Sequence, residues 1–283
     1  MKILIAHAAG GHPATYPRVL AEELKRLECE VVVQEMSSLQ SSWASRFRLN
    51  VAARKLVAEQ QPDLVHVIAA DPAVAESFAG HGASVLHSTI GRPSDSDWVI
   101  APSREAFLRV LGAAPSLDYR LTCLPFALDP GEAAIGAGTY VLGKATDPGA
   151  AAWLEEAAML VPDIPVRDEG DVREARFMVY LSSSPEAWPS GVPEALAAGR
   201  PVIANWGGAA SEFVGEAVSG FLSAPGDAAG LAANIEYLWN HPGEALFLGM
   251  QAREDAKADF GIEAHAKALL KLYFRAGASR LAV

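Results

Sequence analysis

Apolar positions in this chain fall into short, dense runs separated by longer amphipathic stretches, and the two alternate from the first residues onward. Lys2-Ile-Leu-Ile-Ala6, Glu30-Val-Val-Val-Gln34, Asp63-Leu-Val-His-Val-Ile68, Ala83-Ser-Val-Leu86 and Trp98-Val-Ile-Ala101 are strand-length runs with few polar interruptions. Between them, Tyr16 to Leu27, Trp43 to Glu59, Ala73 to Ala79 and Ser103 to Leu111 place apolar residues at helical spacing. Ser103 stands as an N-cap, with Glu105 in the first turn behind it. Apolar strands alternating with helices predict a parallel sheet covered on both faces.

A last strand is expected over Arg120-Leu-Thr-Cys-Leu-Pro-Phe126, and Ala127 to Gly138, with a proline and three glycines, reads as a linker. The pattern then restarts. Tyr140-Val-Leu-Gly143 is a strand, residues 150–160 a helix, 164–167 extended, Phe177-Met-Val-Tyr-Leu181 a buried strand and Val202-Ile-Ala204 another. A Gly207-Gly208 loop, a brief extended Phe213-Val214 and a strand Gly220-Phe-Leu-Ser223 follow, then helices over 227–240, 242–258 and 262–276. The expected domains are 1–130 and 131–260, with 261–283 a helix packing back on the first.

Composition adds limits. With 283 residues, 51% hydrophobic and 20% charged, the chain is globular and long enough for two cores. There is no uninterrupted apolar run of about 18 residues, and the first residues enter a strand without a charged leader, so the expected location is the cytoplasm. Cys29 and Cys123 belong to no metal-binding or disulfide pattern. The net charge of -11 argues against nucleic acid as a partner. Residues 1–130 hold 12 basic and 14 acidic side chains (-2), residues 131–283 hold 11 and 20 (-9), which supports two domains.

The candidate chemistry centres on Glu186-Ala-Trp-Pro-Ser-Gly-Val-Pro-Glu194, two carboxylates with seven residues between them. A buried strand and a Ser182-Ser-Ser-Pro185 loop precede it, and Pro193-Glu-Ala-Leu-Ala-Ala-Gly199 is a short helix with a glycine stop. One carboxylate is therefore on a loop and the other in a first helical turn, at the sheet edge where open α/β folds bind ligands. Unpaired backbone N–H groups are expected at Gly191 and Val192, and near Ala209 and Ala210 after Gly207-Gly208, for sugar oxygens or phosphate. In the first half His7, His12, His66 and His87 stand near strand ends. Residues 43–55 form a basic helix; either Trp43 and Phe47 pack inward or the helix lies on an anionic membrane.

In their order, these segments resemble the GT-B-fold glycosyltransferases of the large retaining group, group 1, that carries an E-x7-E motif. The likeness runs through residues 140–260: a strand ending in Gly143-Lys144, Glu186 to Glu194, the helix continuing to Ile203, Gly207-Gly208 followed by Glu212-Phe-Val214, and Val218-Ser-Gly-Phe-Leu-Ser-Ala-Pro-Gly-Asp227. The first half is similar more loosely, in Gly10-Gly11, Pro62-Asp-Leu-Val-His66, Val99-Ile-Ala-Pro-Ser103 and Leu124-Pro-Phe-Ala-Leu-Asp129. Two departures stand out. Where the family presents Arg and then Lys for the donor diphosphate, this chain has Lys144 and then Gly149 or Ala150, and between Leu160 and Ile164 a strand–helix unit is missing, a shortened form.

The resemblance implies two Rossmann-like domains whose parallel sheets face each other across a cleft, and metal-independent, retaining transfer of a sugar from a nucleotide-sugar to a hydroxyl acceptor: a carbohydrate, a lipid-linked sugar or a small molecule. It implies no cofactor. Catalytic roles fall to Glu186, Lys144 and His87, with His66 or no histidine as the open alternatives; donor binding falls to Glu194, Gly191, Val192, Gly207, Gly208, Gly10 and Gly11, and more weakly to Glu212. Asp95-Ser-Asp97 imitates the metal-binding triplet of the other glycosyltransferase fold but reads as a loop. The thinned cation set leaves a second reading open, a non-catalytic sugar-nucleotide-binding protein or subunit. A nicotinamide enzyme fits poorly, since no G-x-G-x-x-G follows either opening strand.

Overall fold

The computed structural model describes residues 1–8, 13–36, 43–128 and 138–281, and the chain divides into two compact units, Met1–Leu128 with Ile262–Val283, and Asp129–Gly261. In the first unit β1 (Lys2–His7), β2 (Glu30–Glu35), β3 (Leu64–Ile68), β4 (Ser84–Ser88), β5 (Trp98–Ala101) and β6 (Leu121–Cys123) form one parallel sheet in the order β2-β1-β3-β4-β5-β6. Every residue of β3 and β4 is buried, which explains their unbroken apolar runs. The helices between the strands are α1 (Tyr16–Arg26), α2 (Trp43–Gln60), α3 (Pro72–Glu76) and α4 (Arg104–Ala113). On one face of the sheet Leu4, Ala6, Val65, Val67 and Val85 pack with Leu49, Ala53 and Val57 of α2 and with Val74 and Phe78. Ser103 Oγ accepts the Ala106 N–H at 3.0 Å and so caps α4.

Three details differ from the sequence expectations here. β4 runs on to Ser88, so His87 lies inside the strand and not beyond it. Ala127 and Leu128 are buried in the first unit, not part of a linker, while residues 129–137 lie outside the described residues. Phe47 does not pack inward: it is 59% exposed, with Val51 close behind it at 51%. The side chain of Trp43 lies outside the described part.

In the second unit β7 (Val141–Ala145), β8 (Val166–Arg167), β9 (Phe177–Leu181), β10 (Val202–Asn205) and β11 (Gly220–Ser223) form a second parallel sheet, ordered β11-β10-β9-β7-β8. Its helices are α5 (Pro148–Leu160), α6 (Val192–Ala197), α7 (Ala210–Phe213), α8 (Ala228–Asn240) and α9 (Pro242–Phe260). Phe177, Val179 and Leu181 of β9 join Val141 and Ile203 in a core with Trp153 of α5, Leu231, Ile235 and Leu238 of α8 and Leu248 of α9. Met178 and Tyr180 alternate with these and face the other side, where α6 packs on β9 and against α9. Residues 210–213 make a helical turn in place of the extended segment expected around Phe213. The Phe213 ring is held between Trp188 and Phe260, at centroid distances of 5.6 and 5.2 Å.

The last helix, α10 (Ile262–Leu281), belongs to the first unit. Tyr16 Oη and His265 Nε2 meet at 2.7 Å, Tyr273 Oη and His66 Nδ1 at 2.7 Å, and Ser84 Oγ donates to the Ala276 carbonyl at 3.4 Å.

Candidate functional site

The C-terminal edge of the second sheet is tied together before any ligand is considered. The Asn205 side chain at the end of β10 accepts the Ser182 N–H at 2.9 Å and donates to the Ser182 carbonyl at 3.1 Å, locking the ends of β9 and β10. Asp147, after β7, accepts the Ser183 N–H at 2.9 Å and the Ala150 N–H at 3.0 Å, so one carboxylate joins two loops and caps α5. The Ser183 hydroxyl, foremost among these donors, holds the Asp147 carboxyl far below the usual carboxylate range.

Both glutamates of the spaced pair come to this edge. Glu186 Oε1 accepts the Ala210 N–H at 2.9 Å and the Glu186 carbonyl accepts the Ala209 N–H at 3.3 Å, which fastens the loop to the start of α7. Its carboxylate rests directly on Gly208: a Cβ there would lie 2.3 Å from Oε2. Gly208 has φ +75° and Gly207 φ +91°, a conformation that favours glycine. Glu194, in the first turn of α6, accepts the Gly191 N–H through Oε2 at 3.0 Å, and burial raises its pKa. Gly191 has φ +96° and lies over Met178, whose Cε would be 3.2 Å from an added Cβ.

Lys144 and Tyr180 complete the edge. They are register partners on β7 and β9, and Ala204 of β10 is the partner of Tyr180 on its other side. The ammonium of Lys144 donates to the Asp168 carbonyl at 2.7 Å. Tyr180 is 4% exposed, and its hydroxyl has no hydrogen-bond partner among the described residues. Burial first, then the charges of Glu186 and Glu194, raise its pKa, so the phenol keeps its proton.

Several sequence expectations are corrected by this geometry. The N–H groups of Gly191, Val192, Ala209 and Ala210 are already used: Gly191 by Glu194, Val192 by the Pro189 carbonyl at 3.0 Å, and the two alanines by Glu186. The physical reason is that orphan donors at a helix start must be satisfied, and here neighbouring acids and turns do it. Asp147, Glu194 and Glu186 thus close the starts of α5, α6 and α7 in turn. Glu212 is exposed on α7.

The described histidines of the first unit are placed by their neighbours. His87 is fully buried: its Nε2 donates to the Ala69 carbonyl at 2.9 Å and its Nδ1 accepts from the Ser94 hydroxyl at 2.9 Å. Both ring nitrogens are engaged within the first unit's interior, and burial pushes the imidazole down to about 4. His66 is equally buried, between Tyr273 and Ser88 at 2.7 Å each, and burial pushes it to about 3. His7 is half-buried at the end of β1, and Gly10, Gly11 and His12 lie outside the described residues. Asp97 accepts the Val85 N–H at 2.8 Å and Asp95 pairs with Arg120, so that triplet is a structural loop. Among the described residues no group of three or more His, Cys, Asp or Glu could hold a metal ion.

Sequence reasoning missed Asp147, Asn205 and Tyr180. Asp147 was legible, as an acid directly before Pro148 is the signature of an N-cap. Tyr180 gave one signal, a polar tip inside an otherwise apolar strand.

Residues 172–255 match the model of the family described as glycosyl transferases group 1. No curated protein matches the chain at a significant level. Among solved structures, a glycosyltransferase from Rickettsia africae ESF-5 superposes with a TM-score of 0.79 at 15% identity, over 97% of this chain and 98% of that one. A sucrose-phosphate synthase from Thermosynechococcus elongatus gives 0.75 at 17% identity, over 99% and 100%. Anabaena HepE, in complex with UDP and glucose, gives 0.72 at 14% identity, over 96% and 98%. The fold, α/β with two parallel sheets, is that of GT-B glycosyltransferases.

Proposed function

We propose that this chain, a GT-B protein with a group 1 glycosyl-transfer segment, moves a hexose from a nucleotide-sugar donor to a hydroxyl acceptor with retention at the sugar carbon. The observation that carries the reading is the convergence of Glu186 and Glu194 at one sheet edge, within the matched segment. A carboxylate can accept two hydrogen bonds from a diol, so Glu194 takes the ribose hydroxyls and Glu186 those of the transferred sugar. Lys144 supplies countercharge to the leaving diphosphate, a contribution of about 3 kcal/mol where water is excluded.

In the transfer, the acceptor oxygen bonds to the sugar carbon as the bond from that carbon to the diphosphate oxygen breaks, on the same face. The acceptor proton passes to a phosphate oxygen. The protein contributes position and charge, with no metal ion and no histidine in the step. UDP is the first nucleotide to test, because HepE binds UDP and UDP-glucose.

A lipid-linked acceptor at the cytoplasmic face of a membrane is supported by α2, whose Arg46, Arg48, Arg54 and Lys55 are exposed alongside Phe47 and Val51. Among the described residues no helix is long and apolar enough to cross a membrane, so the contact proposed is peripheral.

A second reading, a non-catalytic sugar-nucleotide-binding subunit, is favoured by the acid-capped helix starts and by Lys144 being the cation of a pair whose other place holds Gly149 or Ala150. A thermal-shift panel of UDP, GDP, ADP and their sugars, followed by release of nucleoside diphosphate from wild type and Glu186→Ala, separates the two. Transfer by wild type and its loss in the variant support the enzyme; binding by both proteins with turnover by neither supports the subunit.

A further inference from the structure

Tyr180 is a residue that the reaction scheme above leaves without a task. The residue is 4% exposed, yet its hydroxyl finds no hydrogen-bond partner among the described residues. The hydroxyl oxygen itself is not sealed from solvent, so it is open to a ligand oxygen at this edge. The alternation of β9 puts Tyr180 on the side of Met178, beneath Gly191 and α6, and the sheet register sets it beside Lys144. The carboxylates of Glu186 and Glu194 both act on it.

The covalent order of a nucleotide-sugar decides what meets it. If the ribose lies on Glu194 and the sugar on Glu186, the group between them is the diphosphate. A phosphate oxygen brought there needs donors, and the usual sources are spent: the first N–H groups of α5, α6 and α7 that face this edge are taken by Asp147, Glu194 and Glu186. Lys144 is one remaining donor; the Tyr180 O–H is another.

We propose that Tyr180 is a donor-binding residue whose phenol donates a hydrogen bond to the diphosphate, beside Lys144 and in the absence of a lysine at Gly149 or Ala150. The assignment rests on the nucleotide-sugar reading of the same site. It also limits the ligand class: the site takes nucleoside diphosphates and their sugars in preference to nucleosides, and reads the phosphate with one charge and one neutral donor.

The test is calorimetric titration of UDP, GDP, ADP and uridine into wild type and Tyr180→Phe, with circular dichroism and a thermal melt to show that the variant folds. Phenylalanine keeps the ring and removes only the hydroxyl. The expected result is a loss of about ten- to a hundredfold in affinity for the diphosphate that wild type prefers, the range for a hydrogen bond to a charged group, with uridine affinity unchanged. A diphosphate affinity equal to that of wild type overturns the assignment, and so does an equal loss for uridine, which would put the phenol on the nucleoside. Wild type binding none of the three diphosphates removes the nucleotide-sugar reading itself, and this assignment with it.

Discussion

Tyr16 on α1 and His265 on α10, 249 positions apart in sequence, meet at 2.7 Å with both side chains buried. A second pair of the same kind, Tyr273 with His66, lies further along the helix at 2.7 Å. Neutral imidazoles paired with phenols let α10 cover the first sheet without leaving a buried polar group unmet. His87 makes a third buried imidazole in the same unit.

These imidazoles give stability a pH dependence. Burial pushes His66 to about 3 and His87 and His265 to about 4, against 6.5 in the unfolded chain. Between those values the unfolded chain binds more protons, so this contribution is complete above pH 6.5 and shrinks as pH falls toward 4. Each imidazole removes about 2 kcal/mol by pH 5. Urea unfolding at pH 7.5, 6 and 5 should show steadily falling stability; a flat profile from pH 7 to 5 rejects the neutral buried state.

The two glutamates should separate by readout. Glu194→Ala is expected to weaken UDP binding and to cost about 1 kcal/mol of stability through the lost α6 start. Glu186→Ala is expected to lower turnover at least a hundredfold while leaving uridine binding near wild type. Since burial raises the Glu194 pKa, nucleotide affinity should fall at a higher pH than for an exposed glutamate as acid is added. Titration calorimetry and turnover on both variants check this, and equal profiles would contradict the division of roles.

Gly208→Ala and Gly207→Ala form a matched comparison. Both positions have positive φ, so both substitutions should cost about 1–3 kcal/mol in strain. Only at Gly208 does the new methyl meet Glu186, 2.3 Å from Oε2, whereas nothing lies within 4 Å at Gly207. Activity should therefore drop far more in Gly208→Ala at similar melting temperatures, measured side by side.

Lys144→Met is expected to lower kcat/KM by about a hundredfold or more, and Lys144→Arg to retain part of it, because charge matters more than shape for a leaving diphosphate. Turnover in both variants that matches wild type would remove Lys144 from the step.

For α2, Phe47→Ser with Val51→Ser should reduce co-sedimentation with anionic vesicles and leave turnover of a soluble acceptor unchanged. Equal co-sedimentation by the double variant and wild type would count against membrane contact through this face.

Much of this architecture is legible in the sequence because the strands are buried on both faces. Leu64 to Ile68 and Phe177 to Leu181 leave no choice of side for water, and such runs read as strands from composition alone. The Glu186–Glu194 spacing is legible for a similar reason: it spans a strand end and a helix start whose signals are local. What is not legible is who satisfies whom. The turn of Glu194 back to the Gly191 N–H and the reach of Glu186 to Ala210 depend on backbone geometry in loops. The burial of His87 is not legible either, because a polar residue near a strand end looks exposed until the partners Ala69 and Ser94, brought by other elements, are known.

The return of α10 to the first unit makes the second unit an insertion within it, entered at Asp129 and left at Gly261. On the ribosome, the inserted unit is therefore complete while its host still lacks α10. Until Ile262 and the residues after it emerge, the ring of His66 lacks Tyr273 and the phenol of Tyr16 lacks His265. Synthesis thus begins the first unit earliest and closes it last, and a chain stopped at Gly261 carries a finished second unit beside an open first one.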